Sequence, residues 1–179
     1  WGLWREAAVA IEVANLALRY PALTRGKRTF NHPVVLFPGF GTDEVAMTVL
    51  HHYLKTIGAE VHHWGLGRNH GYVPDLLAQA LKRVQQLAEA GRPVHLVGWS
   101  LGGYIGREVA RELPGQVARV VTLGSPVVGG PKFTAVGKLY KSWGFDLEAM
   151  ARDVERRSAV PIQNEILADA ECLRFAEIV

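Results

Sequence analysis

Short apolar runs alternate with longer amphipathic segments through the middle of this chain. The runs are typical of strands buried on both faces, and they occupy residues 33–37, 94–97 and 117–123, with another that starts at Val61. Helical spacing of apolar residues lies between and after them, at residues 43–57, 74–90 and 101–113. This alternation implies right-handed crossovers, so it predicts an α/β fold with a mostly parallel sheet flanked by helices. The functional site is then expected at the carboxyl ends of the strands.

The first of these helices is expected to open at Thr42 and Asp43 and to close at Gly58. The apolar spacing predicts that its inward face comprises Val45, Ala46, Val49, Leu50 and Leu54. The second helix is predicted to begin at Pro74 and to stop before Gly91.

The N-terminal segment, residues 1–26, has helical spacing over residues 3–20, and Pro21 and Gly26 are expected to end that helix. Two interpretations stay open. The helix either packs on the domain or contacts a membrane surface, because Trp1 and Trp4 are accompanied by basic residues.

The C-terminal third changes character. Residues 131–160 are apolar without a strand pattern, which indicates short helices that either form a cap over the site or simply pack. From Ile162 to Val179, apolar residues with acids between them read as a helix. The whole of residues 1–179 is interpreted as one domain, since this length suits a single sizeable core.

One motif carries a specific chemical prediction. Gly98-Trp99-Ser100-Leu101-Gly102 lies between a buried strand and a helix, which is the context of a nucleophile elbow. The tight turn excludes side chains two residues either side of the serine, and Gly98 and Gly102 have none. Ser100 would then stand at the N-terminus of a helix whose dipole favours developing negative charge. The alternative is an ordinary glycine-rich turn from strand to helix, with no catalytic role for Ser100.

The loop after the first strand offers a second backbone donor. Acyl transfer needs two N–H groups aimed at the oxyanion, one next after the nucleophile and one usually from the loop after an early strand. Leu101 and Phe40 are the candidates for these two amides. Taken alone, the Pro38 to Gly41 loop could equally be an ordinary strand-to-helix turn.

Composition and charge limit the partners, cofactors and location that the sequence predicts. The net charge is +3, and the basic residues at 25–28 and 156–157 lack the interleaved aromatics of a single-strand binder, so no nucleic-acid partner is predicted. The single cysteine, Cys172, allows no internal disulfide. Adjacent histidines such as His62 and His63 point to opposite sides of a strand, so no shared metal site is predicted. No cofactor is predicted either. A cytoplasmic or membrane-peripheral location is favoured, but the chain begins at Trp1 and a removed signal peptide stays open.

Four pieces of sequence together resemble the α/β-hydrolase superfamily, in its bacterial lipase and esterase-like branch. They are Phe37-Pro38-Gly39-Phe40-Gly41, Gly65-Leu66-Gly67-Arg68-Asn69, Gly98 to Gly103, and Thr122-Leu123-Gly124-Ser125-Pro126. Their order and spacing match over about residues 30–130. The resemblance implies hydrolysis of ester or lipid-like substrates through an acyl-enzyme on Ser100, with Leu101 and Phe40 as oxyanion donors.

The resemblance breaks after the elbow. In this fold the triad runs serine, acid, histidine along the chain, yet the last histidine here is His95. Asp169 lies near the expected distance for the acid, and His70 is a candidate base from elsewhere. Three explanations follow: a chain that lacks its last elements, a complete but weakened relative, or a substitute histidine. A missing end would also expose a sheet edge and favour self-association.

These observations favour a serine carboxylic-ester hydrolase of the lipase or esterase type. A non-catalytic binding domain on the same fold is the alternative from another class. A thioesterase, amidase or acyltransferase is a second alternative, because the elbow does not encode the leaving group.

Overall fold

The computed structural model describes residues 19–25, 30–88, 91–125 and 137–142, together with residues 144, 146, 148, 149, 152 and 165–168. Within these residues the strands are β1 (Val34–Phe37), β2 (Val61–His63), β3 (Val94–Trp99), β4 (Val117–Leu123) and β5 (Glu165–Ala168). The helices are α1 (Thr48–Thr56), α2 (Val73–Ala88), α3 (Leu101–Glu112) and α4 (Gly137–Ser142), and a 3₁₀ helix (Glu44–Met47) precedes α1.

The five described strands form one parallel sheet in the order β2-β1-β3-β4-β5. The chain builds outward from β1 to β2, then crosses back to β3 and continues to the other side. This reversal makes the gap between the carboxyl ends of β1 and β3 the topological switch point, where α/β sheets bind their ligands. The predicted α/β class with a parallel sheet flanked by helices is confirmed.

The sheet is buried on both faces. Alternate residues of β1 feed two apolar clusters: Val35 and Phe37 join the one that contains α2 and α3, and Val34 and Leu36 join the one that contains α1. All four of these side chains are fully buried. This two-sided burial is the reason that the strand reads in the sequence as a continuous apolar run.

Helix α1 shows a correction to the predicted inward face. Leu54 is buried as expected, but Val45 and Val49 are 76% and 62% exposed, and Met47 is buried instead. Residues 44–47 form a 3₁₀ turn, in which each residue advances by about 120° instead of about 100°. Those four residues therefore rotate the apolar stripe by about 80° relative to a continuous α-helix, and the prediction assumed a continuous one.

The N-terminal segment also differs from its predicted end. Residues 19–23 are helical, so the helix passes through Pro21 and does not end there. Both the amide and the hydroxyl of Thr24 donate to the Tyr20 carbonyl, at 3.0 and 2.9 Å, and close the turn around the proline. The predicted helix over residues 3–18 and the membrane contact of residues 1–18 lie outside the described residues.

The predicted helix from Ile162 to Val179 is wrong over residues 165–168, which form β5. This strand pairs in parallel with β4, Val120 opposite Glu165 and Leu123 opposite Ala168. A four-residue segment with three apolar residues fits either period, and here the edge of the sheet supplies backbone partners that no local pattern reveals. Residues 169–179, with Cys172, lie outside the described residues, as do most of the residues 131–160 assigned to the cap.

Candidate active site

Ser100 lies in the turn between β3 and α3, at the carboxyl end of the strand beside the switch point. Its φ of 52° and ψ of −121° make it the only non-glycine residue of positive φ in the described part of the chain. Such a conformation costs about 1–3 kcal/mol, so neighbouring contacts have to hold it. The Ser100 amide donates to the Leu123 carbonyl at 2.8 Å, and the Gly103 amide donates to the Ser100 carbonyl at 3.0 Å. The turn is thereby tied to both β4 and α3.

The glycines around the serine have a steric cause. A Cβ at Gly98 would lie 2.4 Å from the Cα of Gly103, and one at Gly102 would lie 2.3 Å from the Phe37 carbonyl oxygen. Both contacts are with backbone, which no change of rotamer relieves. A Cβ at Gly103 would meet the Ser125 hydroxyl oxygen at 1.9 Å. The elbow therefore packs too closely against β1 and its own helix for any larger residue.

Residues 38–42, called here the 38–42 loop, pack directly against the elbow. The Cβ position of Gly102 is 2.5 Å from the Pro38 carbonyl oxygen, and that of Gly39 is 3.0 Å from the ring of Trp99. This brings the loop that carries Phe40 beside the first turn of α3. Leu101 is the first residue of α3, so its amide is one of those with no acceptor inside the helix.

A second loop, residues 64–72, holds the first one in place. The Gly41 amide donates to the Asn69 carbonyl, and the Asn69 amide donates to the Thr42 carbonyl, both at 2.8 Å. The Arg68 Nε also donates to the Gly41 carbonyl at 2.8 Å. The sequence pattern alone predicts no role for Asn69. A polar residue with a short amide side chain in a glycine-rich loop between a strand and a helix is the signal that could have indicated one.

Helix α4 reaches the same loop. Tyr140 is fully buried, and its hydroxyl donates to the Gly71 carbonyl. Burial raises the pKa of the Tyr140 hydroxyl, so it remains a proton donor at neutral pH. A Cβ at Gly71 would lie 2.6 Å from the ring of Phe40. The described part of the 131–160 segment is therefore in contact with the loops around the site.

His70, the candidate base, has both ring nitrogens engaged near its own loop. Its Nδ1 accepts from the Tyr72 amide at 3.3 Å, and its Nε2 lies 3.6 Å from the Asp75 carboxylate. About half of the side chain is exposed. A role as base for Ser100 would require the ring to leave these contacts.

Asp169, the candidate acid, lies outside the described residues, but the strand β5 ends directly before it in the sequence. The strand ends at Ala168, which pairs with Leu123, and Leu123 accepts the hydrogen bond of the Ser100 amide. Asp169 is the next residue after this strand.

Four of the other described histidines form two pairs outside the elbow. His95 contacts His32 edge to face at 5.1 Å near the start of β3, the opposite end of that strand from Ser100. Burial, with His32 and Arg119 nearby, lowers the pKa of His95 to about 4. His51 stacks on His63 at 4.4 Å, and burial and the proximity of His63 lower its pKa. Among the described residues, no group of three or more His, Cys, Asp or Glu side chains could hold a metal ion.

A parallel sheet of this strand order, with a strained serine between its central strand and the following helix, defines the α/β-hydrolase class. A family model described as the alpha/beta hydrolase family matches residues 4–174, so the chain belongs to the alpha/beta hydrolase family. The resemblance inferred from the four sequence pieces is confirmed. Over the described residues, no helix combines the length and the hydropathy that a membrane span requires.

Individual relatives are similar over parts of this chain. The pimeloyl-[acyl-carrier protein] methyl ester esterase of Methylococcus capsulatus is 41% identical over 68 residues, which cover 37% of this chain and 25% of that protein. The lipase BlEst2 of Bacillus licheniformis superposes with a TM-score of 0.53 and 18% identity, over 76% of this chain and 63% of that one. The monoacylglycerol lipase of Paleococcus ferrophilus gives 0.50 and 17%, over 78% and 86%. The two structural matches support the fold, and the chain spans only part of each relative.

Proposed function

We propose that this chain carries the nucleophile and the oxyanion hole of a serine carboxylic-ester hydrolase. The observation that carries the proposal is the backbone of Ser100, which is strained between a strand and a helix and surrounded by glycines that admit no Cβ. A strained serine at a switch point is costly to keep, and strained residues cluster at functional sites. The similarity to an esterase and to two lipases supports an ester as the substrate.

The proposed reaction has two halves. The Ser100 hydroxyl oxygen attacks the ester carbonyl, an acyl–oxygen bond to the serine forms, and the bond to the alcohol breaks. The amides of Leu101 and Phe40 would stabilise the negative charge on the carbonyl oxygen. Water then attacks the acyl-enzyme, which releases the acid and restores the serine. The serine proton has to pass through a base to the leaving alcohol.

The proposed base and acid are His70 and Asp169. All seven histidines of this sequence precede Ser100 in the chain, and His70 is the candidate among them. Asp169 is the proposed acid, supported by its position directly after β5.

A p-nitrophenyl ester series from acetate to octanoate tests the proposal. We expect saturable hydrolysis above the buffer rate by the unmodified chain, and loss of it in Ser100→Ala. Ser142→Ala makes the same change at an exposed serine on α4 and is expected to keep full activity. Equal hydrolysis by Ser100→Ala would contradict the assignment of the nucleophile. If the unmodified chain and Ser100→Ala both bind the esters saturably and neither hydrolyses them, a binding domain would instead be favoured.

A further inference from the structure

Asn69 is a buried polar residue in a loop, where buried polar groups are costly. Its side chain is fully buried, and it lies in the 64–72 loop. A buried amide without partners would destabilise the fold, so such a group is retained where its hydrogen bonds are satisfied. Here the Asn69 Nδ2 donates to the Pro38 carbonyl at 2.9 Å, and its Oδ1 accepts from the Gly71 amide at 3.1 Å.

Backbone hydrogen bonds of the same residue reach the other end of the 38–42 loop. The Asn69 carbonyl accepts from the Gly41 amide, and the Asn69 amide donates to the Thr42 carbonyl, each at 2.8 Å. One residue therefore makes three hydrogen bonds to the 38–42 loop, one on the N-terminal side of Phe40 and two on its C-terminal side.

The hydrogen bonds of Asn69 fix the orientation of particular peptide planes in the 38–42 loop. The Pro38 carbonyl belongs to the plane before Gly39, and the Gly41 amide belongs to the plane after Phe40, so Asn69 anchors the planes on both sides of the Gly39–Phe40 peptide. The carbonyl of that central plane, on Gly39, accepts from the Thr42 hydroxyl at 2.8 Å and from the Thr42 amide at 3.2 Å. In a trans peptide the N–H points opposite to the carbonyl, so these bonds set the direction of the Phe40 N–H.

We propose that Asn69 is a positioning residue, which aims the Phe40 N–H at the oxyanion by holding the peptide planes on both sides of it. The inference rests on the proposed function, because it assigns the Phe40 amide to the oxyanion hole. Asn69 itself touches neither substrate nor the reacting atoms in this role. Preorganised donors stabilise a transition state because they need no reorganisation during the reaction, so an untethered loop would lose that advantage.

Two variants of Asn69 separate its roles. Asn69→Asp keeps the shape and an acceptor for the Gly71 amide, but its carboxylate cannot donate to the Pro38 carbonyl. Asn69→Leu removes both side-chain hydrogen bonds at similar volume. Val84→Ala, in the core of α2, is the matched control: Val84 is fully buried and belongs to the apolar cluster of α2 and α3.

We expect Asn69→Asp to lower kcat on p-nitrophenyl butyrate by about 10- to 100-fold with KM within about 2-fold, because a misplacement of about 1 Å costs about 10²-fold in rate. Amide hydrogen exchange of a peptide spanning residues 38–42 should become faster in the same variant. Val84→Ala should leave kcat unchanged, and it should not accelerate amide exchange in the 38–42 peptide more than in the rest of the chain. A merely structural role for Asn69 predicts instead that Asn69→Asp behaves like Val84→Ala in both measurements, which would overturn the proposal.

The exchange measurement keeps this inference testable independently of the proposed function. If hydrolysis survives in Ser100→Ala, the proposed function fails, and the exchange of residues 38–42 still reports whether Asn69 orders the loop. If neither Asn69 variant folds, the unmodified chain supplies the test, since the Gly41 and Gly71 amides should then exchange as slowly as those of β1. Exchange at the rate of an exposed loop would contradict the role of Asn69.

Discussion

Gly102→Ala tests the close packing on which the account of the elbow depends. The added methyl group would lie 2.3 Å from the Phe37 carbonyl oxygen and 2.5 Å from that of Pro38, whereas ordinary contacts begin near 3.4 Å. The helix or the 38–42 loop would therefore have to move by about 1 Å. No side-chain rotation can relieve this contact, because both partners are backbone atoms.

The expected magnitude combines two opposing effects. Overpacking of this kind costs about 1–3 kcal/mol, and alanine recovers at most about 1 kcal/mol of helix propensity. We expect a net loss of about 1–2 kcal/mol in the free energy of unfolding, and about 2–4 °C in melting temperature for each kcal/mol in a chain of this length. A shift of about 1 Å between the elbow and the 38–42 loop should also lower esterase activity by about 10²-fold.

Gly106→Ala is the matched control on the same helix. Its Cβ would meet only the Leu96 Cβ, at 3.8 Å, an ordinary contact. We expect this variant to gain about 0.5–1 kcal/mol from the better helix propensity of alanine. Urea denaturation and the ester assay on both variants provide the comparison. Equal stability and activity of Gly102→Ala and Gly106→Ala would refute the steric account.

Three further predictions concern the rest of the fold. Leu54→Ala should cost about 2–5 kcal/mol and Val49→Ala less than about 0.5 kcal/mol, and equal losses in urea denaturation would contradict the observed face of α1. Because the folded pKa of His95 is about 4, below its usual value, the unfolded chain binds more protons as pH falls. The urea midpoint should therefore fall from pH 7 to pH 4.5, and less steeply in His95→Gln. Arg111→Met removes the ion pair between the buried side chains of Arg111 and Glu108, so it should lower the free energy of unfolding by about 1.5–3 kcal/mol, and the same urea titration would refute this by showing no loss.

The central strands and the elbow are predictable because local rules coincide there. Strand β4 matches its predicted range of 117–123, and α2 buries Leu76, Ala80 and Val84 as its spacing indicates. At Ser100 three signals predict the same tight strand-to-helix turn: the glycine spacing, the preceding strand and the following helix. Such agreement between levels is typical of strongly specified regions.

The failures have long-range causes. The exposure of Val49 follows from a 3₁₀ turn upstream, and the strand at residues 165–168 follows from pairing with β4, more than 40 residues earlier in the chain. Asn69 was not recognised because its partners, Pro38 and Gly41, lie in another loop of the chain. None of these contacts leaves a periodic signal in the local sequence.

Intact-mass analysis of the chain after reaction with a fluorophosphonate probe reports directly whether Ser100 is an activated nucleophile. We expect one adduct, mapped by peptide sequencing to Ser100 and absent from Ser100→Ala. An unlabelled chain, or an adduct that persists in Ser100→Ala, would contradict the assignment of Ser100 as an activated nucleophile.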